Sequence, residues 1–194
     1  MPAVAKTSQA ALLAIARSML EADAARFSLA AVATAAGIRP PSLHKRFADR
    51  ETLIAAMRCD GYAELGARLA SATAAATSRS PRARLRAIGF ATRAFAGEAP
   101  QLFALLVGAD ERPDSPTDRA REIAIAPLLE TCAGVVGKRR ALDAARTLAA
   151  FINGYLLIEL AQAFHLGGDL EAGFRYGLER VIDGLIGANA APPS

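Results

Sequence analysis

Residues 28–53 read SLAAVATAAGIRPPSLHKRFADRETL, and residue type alone places two short helices, a tight turn and the start of a third helix within them. Ser28 is suited to cap the first helix, because its hydroxyl can accept from a backbone N–H of the first turn that has no helical partner. Phe27 before it and Val32 four residues after it stand where a hydrophobic staple would. Leu29, Val32 and Ala33 form an apolar face at helical spacing, and the alanines around them let another helix approach closely. Gly37 follows the helix end, where a positive φ is usually needed and glycine carries it without steric cost. The second helix starts at Pro40, since the first turn has no use for the N–H that proline lacks. Leu43 and Phe47, four apart, face the core. Arg39, Ser42, Lys45 and Arg46 are then turned outward, with His44 near the edge. Asp49 can cap the third helix, and Glu51 lies in its first turn, where a carboxylate complements the helix dipole.

Two helices joined at a glycine corner, the second basic and projecting, read as a helix-turn-helix. Between Arg26 and Arg50 five cations (Arg26, Arg39, Lys45, Arg46, Arg50) stand against Asp49, a surplus equal to the +4 of the whole chain. Basic charge on a projecting short helix is the electrostatic footprint of phosphate binding. A solvated surface helix on a bundle would share some of these features. Agreement of cap, staple, turn glycine, Leu/Phe pair and charge placement favours the nucleic-acid reading.

On these residues, Gln9–Met57 resembles the N-terminal DNA-binding domain of the TetR family of bacterial transcriptional regulators, with FSLAAVATAAGIRPPSLHKRFADRETL (27–53) matching the family in spacing and residue type. The likeness covers about a quarter of the chain. Three positions depart from it. Arg39 stands where the family usually has a capping Ser or Thr, which exchanges a hydroxyl for a charge. His44 stands where Tyr is common, and Arg46 where His or Tyr is common. The resemblance implies a homodimer whose helix at about 40–47 enters the major groove, two such helices reading a pseudo-palindrome. It implies Arg39, Ser42 and Lys45 as groove or base contacts, and Ser28, His44 and Arg50 as phosphate contacts that fix register. Pro40 and Pro41 remove two N–H groups that could have met a phosphate, so the Arg39 side chain is expected to carry that contact. The expected partner is double-stranded operator DNA, and the expected action is repression relieved by a small-molecule effector. The alternative is a helical ligand carrier or partner-binding module that does not bind DNA specifically.

Composition bounds the rest. Half the chain is hydrophobic (53%) but only 6% is aromatic, alanine is abundant, and no run alternates with period two, so an all-α protein is expected. Cys59 and Cys132 lie far apart, with no CxxC and no His/Cys cluster at zinc spacing. Two buried reduced thiols are expected, a thiol redox sensor being the other reading. No Glu-x-x-His pair, phosphate loop or nucleophile motif is present, and His44 and His165 are far apart. Neither an enzyme nor a cofactor is expected. Ala10–Ala16 is too short a run, interrupted by Arg17, for a signal peptide, and the same residues make an amphipathic helix. No uncharged stretch reaches about eighteen residues, so no membrane span and a cytoplasmic protein are expected.

A DNA-binding domain over 1–55 is expected to lead into a linking helix that runs to about Ala76. A helical ligand-binding and dimerisation domain over 77–187 and a disordered tail, 188–194, complete the chain. Ser80-Pro81 and Ser115-Pro116 read as helix starts, Pro100 opens a short apolar helix, and Pro127 is expected to kink the helix that contains it. Two long helices close the chain, about Ala141–Phe164 and Leu170–Ile186, with His165–Asp169 supplying a C-cap, turn and N-cap. Their exposed apolar residues suit a four-helix interface with a second copy over about 141–187. Leu148–Leu185 also resembles, more weakly, a TetR subgroup with a Trp-x-x-x-His-Gly signature, here Phe151-Ile152-Asn153-Gly154. Phe90, Phe95, Phe103, Leu106, Phe151, Asn153 and Tyr155 are the candidates for an apolar effector pocket. Stripes of this kind also make plain core, and Asn153 can equally bridge helices. Gly89 and Gly154 are expected to leave space there.

Overall fold

The computed structural model describes residues 8–76, 78, 80–108 and 115–188. Among the described residues the chain is all-α, without a strand. The helices are α1 (Gln9–Ala22), α2 (Leu29–Ala35), α3 (Pro40–His44), α4 (Arg50–Ala74), α5 (Pro81–Glu98), α6 (Pro100–Val107), α7 (Pro116–Val136), α8 (Ala141–Leu160) and α9 (Leu170–Ala188). The expected tail beyond Ala188 lies outside the described residues. The helices form two compact units, one of Met1–Gly61 with Ala99–Arg119, the other of Tyr62–Glu98 with Ala120–Ser194.

The first unit is built on α1, which buries Leu12, Ala16 and Leu20 at four-residue spacing. They pack with Val32 and Ala33 of α2, Leu43 of α3, Phe47, and Leu53, Ile54 and Met57 of α4. Helix α6 joins this unit although α5 stands between it and α4 in the chain. Its N-cap residue, Ala99, has no side chain to satisfy the first turn. The Glu21 carboxylate does so instead, accepting from the Gln101 N–H (3.0 Å) and the Leu102 N–H (2.9 Å). Leu102 covers Gly61, where a Cβ would lie 3.1 Å from its Cδ1. Arg58 Nε donates to the Leu105 carbonyl at 3.4 Å.

In the second unit α5, α8 and α9 pack on one another. Leu85, Ile88 and Phe95 of α5, Leu148, Ile152 and Leu156 of α8, and Phe174, Leu178 and Ile182 of α9 are buried. Arg82 binds both Glu179 and Asp183, tying α5 to α9. Arg93 pairs with Glu159 and lies over the Phe174 ring, 5.4 Å from its centroid. Gly89 leaves no space: a Cβ there would stand 2.6 Å from Leu178 Cδ2, so α9 fills the gap that the sequence suggested was open. Gly154, by contrast, has nothing within 4 Å of a Cβ. Helix α7 runs on through Pro127, and Thr131 Oγ1 donates to the Pro127 carbonyl (2.7 Å).

Helix α8 ends at Leu160, earlier than the sequence suggested. Gln162 takes φ +53°, its N–H bonds the Glu159 carbonyl, and the Ala163 N–H bonds the Ile158 carbonyl. That is a Schellman cap made by a glutamine, so the glycines at 167 and 168 serve the turn and not the helix end. Asp169 caps α9 as expected, accepting from Glu171 and Ala172. With its preceding turn, Lys138–Leu160 is long and apolar enough to cross a membrane by composition. Its stripe of Ala144, Ala145, Leu148, Ile152 and Leu156 is buried, as in the core helix of a folded bundle.

Candidate nucleic-acid interface

Helix α2 begins where the sequence places it. Ser28 Oγ accepts from the Ala31 N–H at 3.2 Å, which leaves its hydroxyl hydrogen available to an outside acceptor. Phe27 and Val32 are both buried, 5% and 0% exposed, as a staple requires. The helix ends in a Schellman turn. Gly37 has φ +64°, its N–H bonds the Thr34 carbonyl, and the Ile38 N–H bonds the Ala33 carbonyl. The chain then enters α3 through Arg39, which makes no side-chain cap bond, and through Pro40 and Pro41.

Helix α3 is shorter than the expected 40–47. It ends at His44, and the hydrogen-bonded turn continues as Lys45 N–H to Pro41 and Phe47 N–H to Leu43. Leu43 (1% exposed) and Phe47 (2%) anchor it. Arg39, Pro40, Pro41, Ser42, His44, Lys45 and Arg46 are all exposed. Arg39 and Lys45 have no ion pair among the described residues. His44 Nδ1 lies 3.1 Å from the Ala48 carbonyl, so as the Nδ1–H tautomer it braces the turn into α4. Its Nε2 is then an acceptor, and only the doubly protonated ring could donate to a phosphate.

Asp49 starts α4 by accepting from the Thr52 N–H and hydroxyl, each at 2.7 Å, and these bonds hold its carboxyl below the usual range. Arg50 is exposed, with Nη1 3.6 Å from Glu51 Oε1 and its guanidinium 5.5 Å from the Phe27 ring centroid. Phe27 thereby brings Ser28 and Arg50, the starts of α2 and α4, to one edge. Of the five cations in the stretch, Arg26 is answered by Asp23 at 3.2 Å. What the arrangement offers is a short rigid helix with a polar and cationic outer face, flanked by a hydroxyl and a guanidinium that can reach phosphates.

The candidate effector residues are dispersed. Phe90, Phe151 and Tyr155 meet around Phe174, with ring centroids 5.4–5.9 Å apart. Asn153 is half-buried on α8, and Phe95 is fully buried, 5.4 Å under the Arg68 guanidinium. Phe103 and Leu106 belong to α6 in the first unit. Two cavities of the second unit, about 410 and 470 Å³, are lined by other side chains. Burial pushes the Tyr155 phenol up, and its O–H donates to the Leu170 carbonyl at 2.8 Å. Cys59 and Cys132 are free thiols; Cys132 is buried and Cys59 is half-buried. Glu21 as the cap of α6 carries no sequence signal, since its partners are about eighty residues away.

Comparison with known proteins bears on these helices. The family model described as the tetracyclin repressor-like C-terminal domain matches residues 85–181. Among solved structures, a protein of unknown function from Rhodococcus sp. RHA1 is similar at 27% identity and TM-score 0.81, over 96% of this chain and 99% of that one. A TetR variant from Acinetobacter baumannii AYE in complex with minocycline has 21% identity and TM-score 0.71, over 96% and 100%. A TetR-family transcriptional regulator from Streptomyces coelicolor has 16% identity and TM-score 0.64, over 93% and 94%. The last two share the fold. A search of curated proteins finds no match. None of these findings bears on the Trp-x-x-x-His-Gly likeness.

Proposed function

Because this chain belongs to the TetR family, whose members are non-enzymatic DNA-binding transcription factors, we propose that it is a homodimeric repressor whose two α3 helices read a pseudo-palindromic operator and which a small apolar effector releases. One observation carries the reading. Leu43 and Phe47 pin α3 to the core while Arg39, Ser42 and Lys45 project from it, exposed. Arg39, Ser42 and Lys45 contact the groove, entered past Pro40 and Pro41. Ser28, His44 and Arg50 hold phosphates and set register.

The assignment of functions follows the chain: DNA reading in residues 1–55, effector binding and dimerisation in 77–187. Support for self-association comes from Leu142 (46% exposed), Ile158 (43%) and Tyr176 (71%), apolar residues on α8 and α9 that a second copy would cover. Support for an effector comes from the aromatic cluster of Phe90, Phe151 and Tyr155 and from the relative solved with minocycline. Effector and DNA then oppose one another through one coupling free energy. The place of action is the cytoplasm, where the operator is.

Selection of random duplexes on the purified protein tests this. A pseudo-palindrome should be enriched, and both Arg39→Ala and Lys45→Ala should weaken its binding. If no sequence is enriched even at low salt, the proposal fails. Affinity for the selected duplex should fall steeply with salt, because phosphate contacts release counterions.

A further inference from the structure

The first unit contains a cavity of about 760 Å³ between the start of α1, the first turns of α4 and the start of α7. It lies within the DNA-binding unit and contains none of the candidate effector residues. Leu13 of α1 and Ala55 of α4 are among its apolar lining. Three charged side chains line it: Glu51, Arg58 and Asp60. Arg58 is already committed through Nε to the Leu105 carbonyl. Asp60 has no ion pair among the described residues, and Glu51 has only the 3.6 Å contact with Arg50. Glu51, Ala55 and Cys59 recur at four-residue spacing, so they share one face of α4, with a carboxylate near each end of the lined stretch. A cavity lined by both apolar and charged side chains, with two carboxylates to one guanidinium, suits an organic cation with an apolar body.

We propose that this cavity is a second ligand site, for a small amphipathic amine whose ammonium pairs with Glu51 and so releases Arg50 from it. The consequence for DNA rests on the DNA-binding reading above. Arg50 loses its neighbouring carboxylate and a cation is added beside it, so an amine here tightens DNA binding, opposite in sign to an effector that releases it.

Cys59 lines the cavity and reports on its occupancy. Cys132 does not interfere, being 1% exposed, with burial pushing its thiol up to about 11. The intact protein is labelled with N-ethylmaleimide near neutral pH, in hexylamine or in hexanol at equal concentration, and the Cys59 peptide is quantified by mass. Saturating hexylamine should slow labelling by about threefold or more, hexanol should protect far less, and Glu51→Gln and Asp60→Asn should each weaken the hexylamine effect. Absence of protection by either compound overturns the site. Equal protection by both, or protection that survives both substitutions, overturns the amine assignment. In the second arm, hexylamine should raise wild-type affinity for the selected duplex by about threefold and leave Glu51→Gln unchanged. A fall or no change overturns the link to Arg50. Failure to bind any duplex, with or without amine, overturns the DNA reading and that link together, while protection of Cys59 still decides whether the cavity takes an amine.

Discussion

Gly66→Ala is the substitution whose effect the packing defines most sharply. A Cβ at Gly66 would lie 2.8 Å from Ala124 Cα and 3.3 Å from Ala124 Cβ, against the 3.4 Å at which ordinary contact begins. The obstruction is backbone, so no side chain can rotate away; α4 and α7 must part by about 0.6 Å where they cross, the gap between 3.4 and 2.8 Å. Overpacking of this kind costs ~1–3 kcal/mol. Against it, alanine in a helix interior gains ~0.5–1 kcal/mol over glycine. From the middle of each range the net is a loss of roughly 1 kcal/mol, which for a chain of this length lowers the melting temperature by about 2–4 °C. Gly97→Ala is the matched control: the same chemical change in α5, with nothing within 4 Å of the new Cβ. It should gain up to ~1 kcal/mol and raise the melting temperature by about 2–4 °C. Thermal unfolding followed by circular dichroism reads both. If Gly66→Ala is as stable as Gly97→Ala, the close crossing of α4 and α7 is not what limits the position, and the reasoning is wrong.

Other outcomes follow from single contacts. Glu21→Ala removes the acceptor of two N–H groups and should cost ~1–2 kcal/mol, measured by urea unfolding; Glu21→Gln, which keeps one oxygen, should recover part of it. Arg50→Gln should lower the slope of log affinity against log salt by about 0.9 per subunit, read by fluorescence anisotropy, and an unchanged slope would remove Arg50 from the phosphate contacts. The Cys132 thiol is pushed from 9.0 to about 11 by burial, so the unfolded chain releases this proton first as pH rises. Stability should therefore fall between about pH 9 and about pH 11, by up to ~2 kcal/mol, and Cys132→Ala should flatten that fall in urea midpoints.

The helix-turn-helix was legible because most of its determinants are local. Ser28, Gly37 and Asp49 each act within four residues of themselves, and Leu43 and Phe47, which pack on α1 and α4, announce themselves by apolar spacing within one helical turn. Helix starts at Ser80 and Ser115 were readable for the same reason, their hydroxyls accepting from Ala83 and Asp118. What escaped was set by distance or by competition. Gln162 ends α8 in a conformation that sequence rules assign to glycine, and two glycines a few residues on drew the expected end towards them. Gly89 suggests open space only until Leu178, 89 residues later, is seen to occupy it. The α1–α4–α7 cavity also escaped, because the approach of Pro116 and Thr117, far along the chain, leaves no mark near Glu51 and Cys59.

The capping of α6 by Glu21 has a consequence for anyone who would move the DNA-reading part into another protein. The first unit is not one stretch of chain: it leaves at Gly61, returns at Ala99 and leaves again at Arg119. A fragment cut after Gly61 would lose α6, stripping Leu102 from Gly61 and leaving the Glu21 carboxylate without the two amides it serves. If Arg39–Lys45 reads DNA as proposed, that specificity is poorly portable as an excised segment, and a chimaera is better made by regrafting Arg39–Lys45 onto an intact chain.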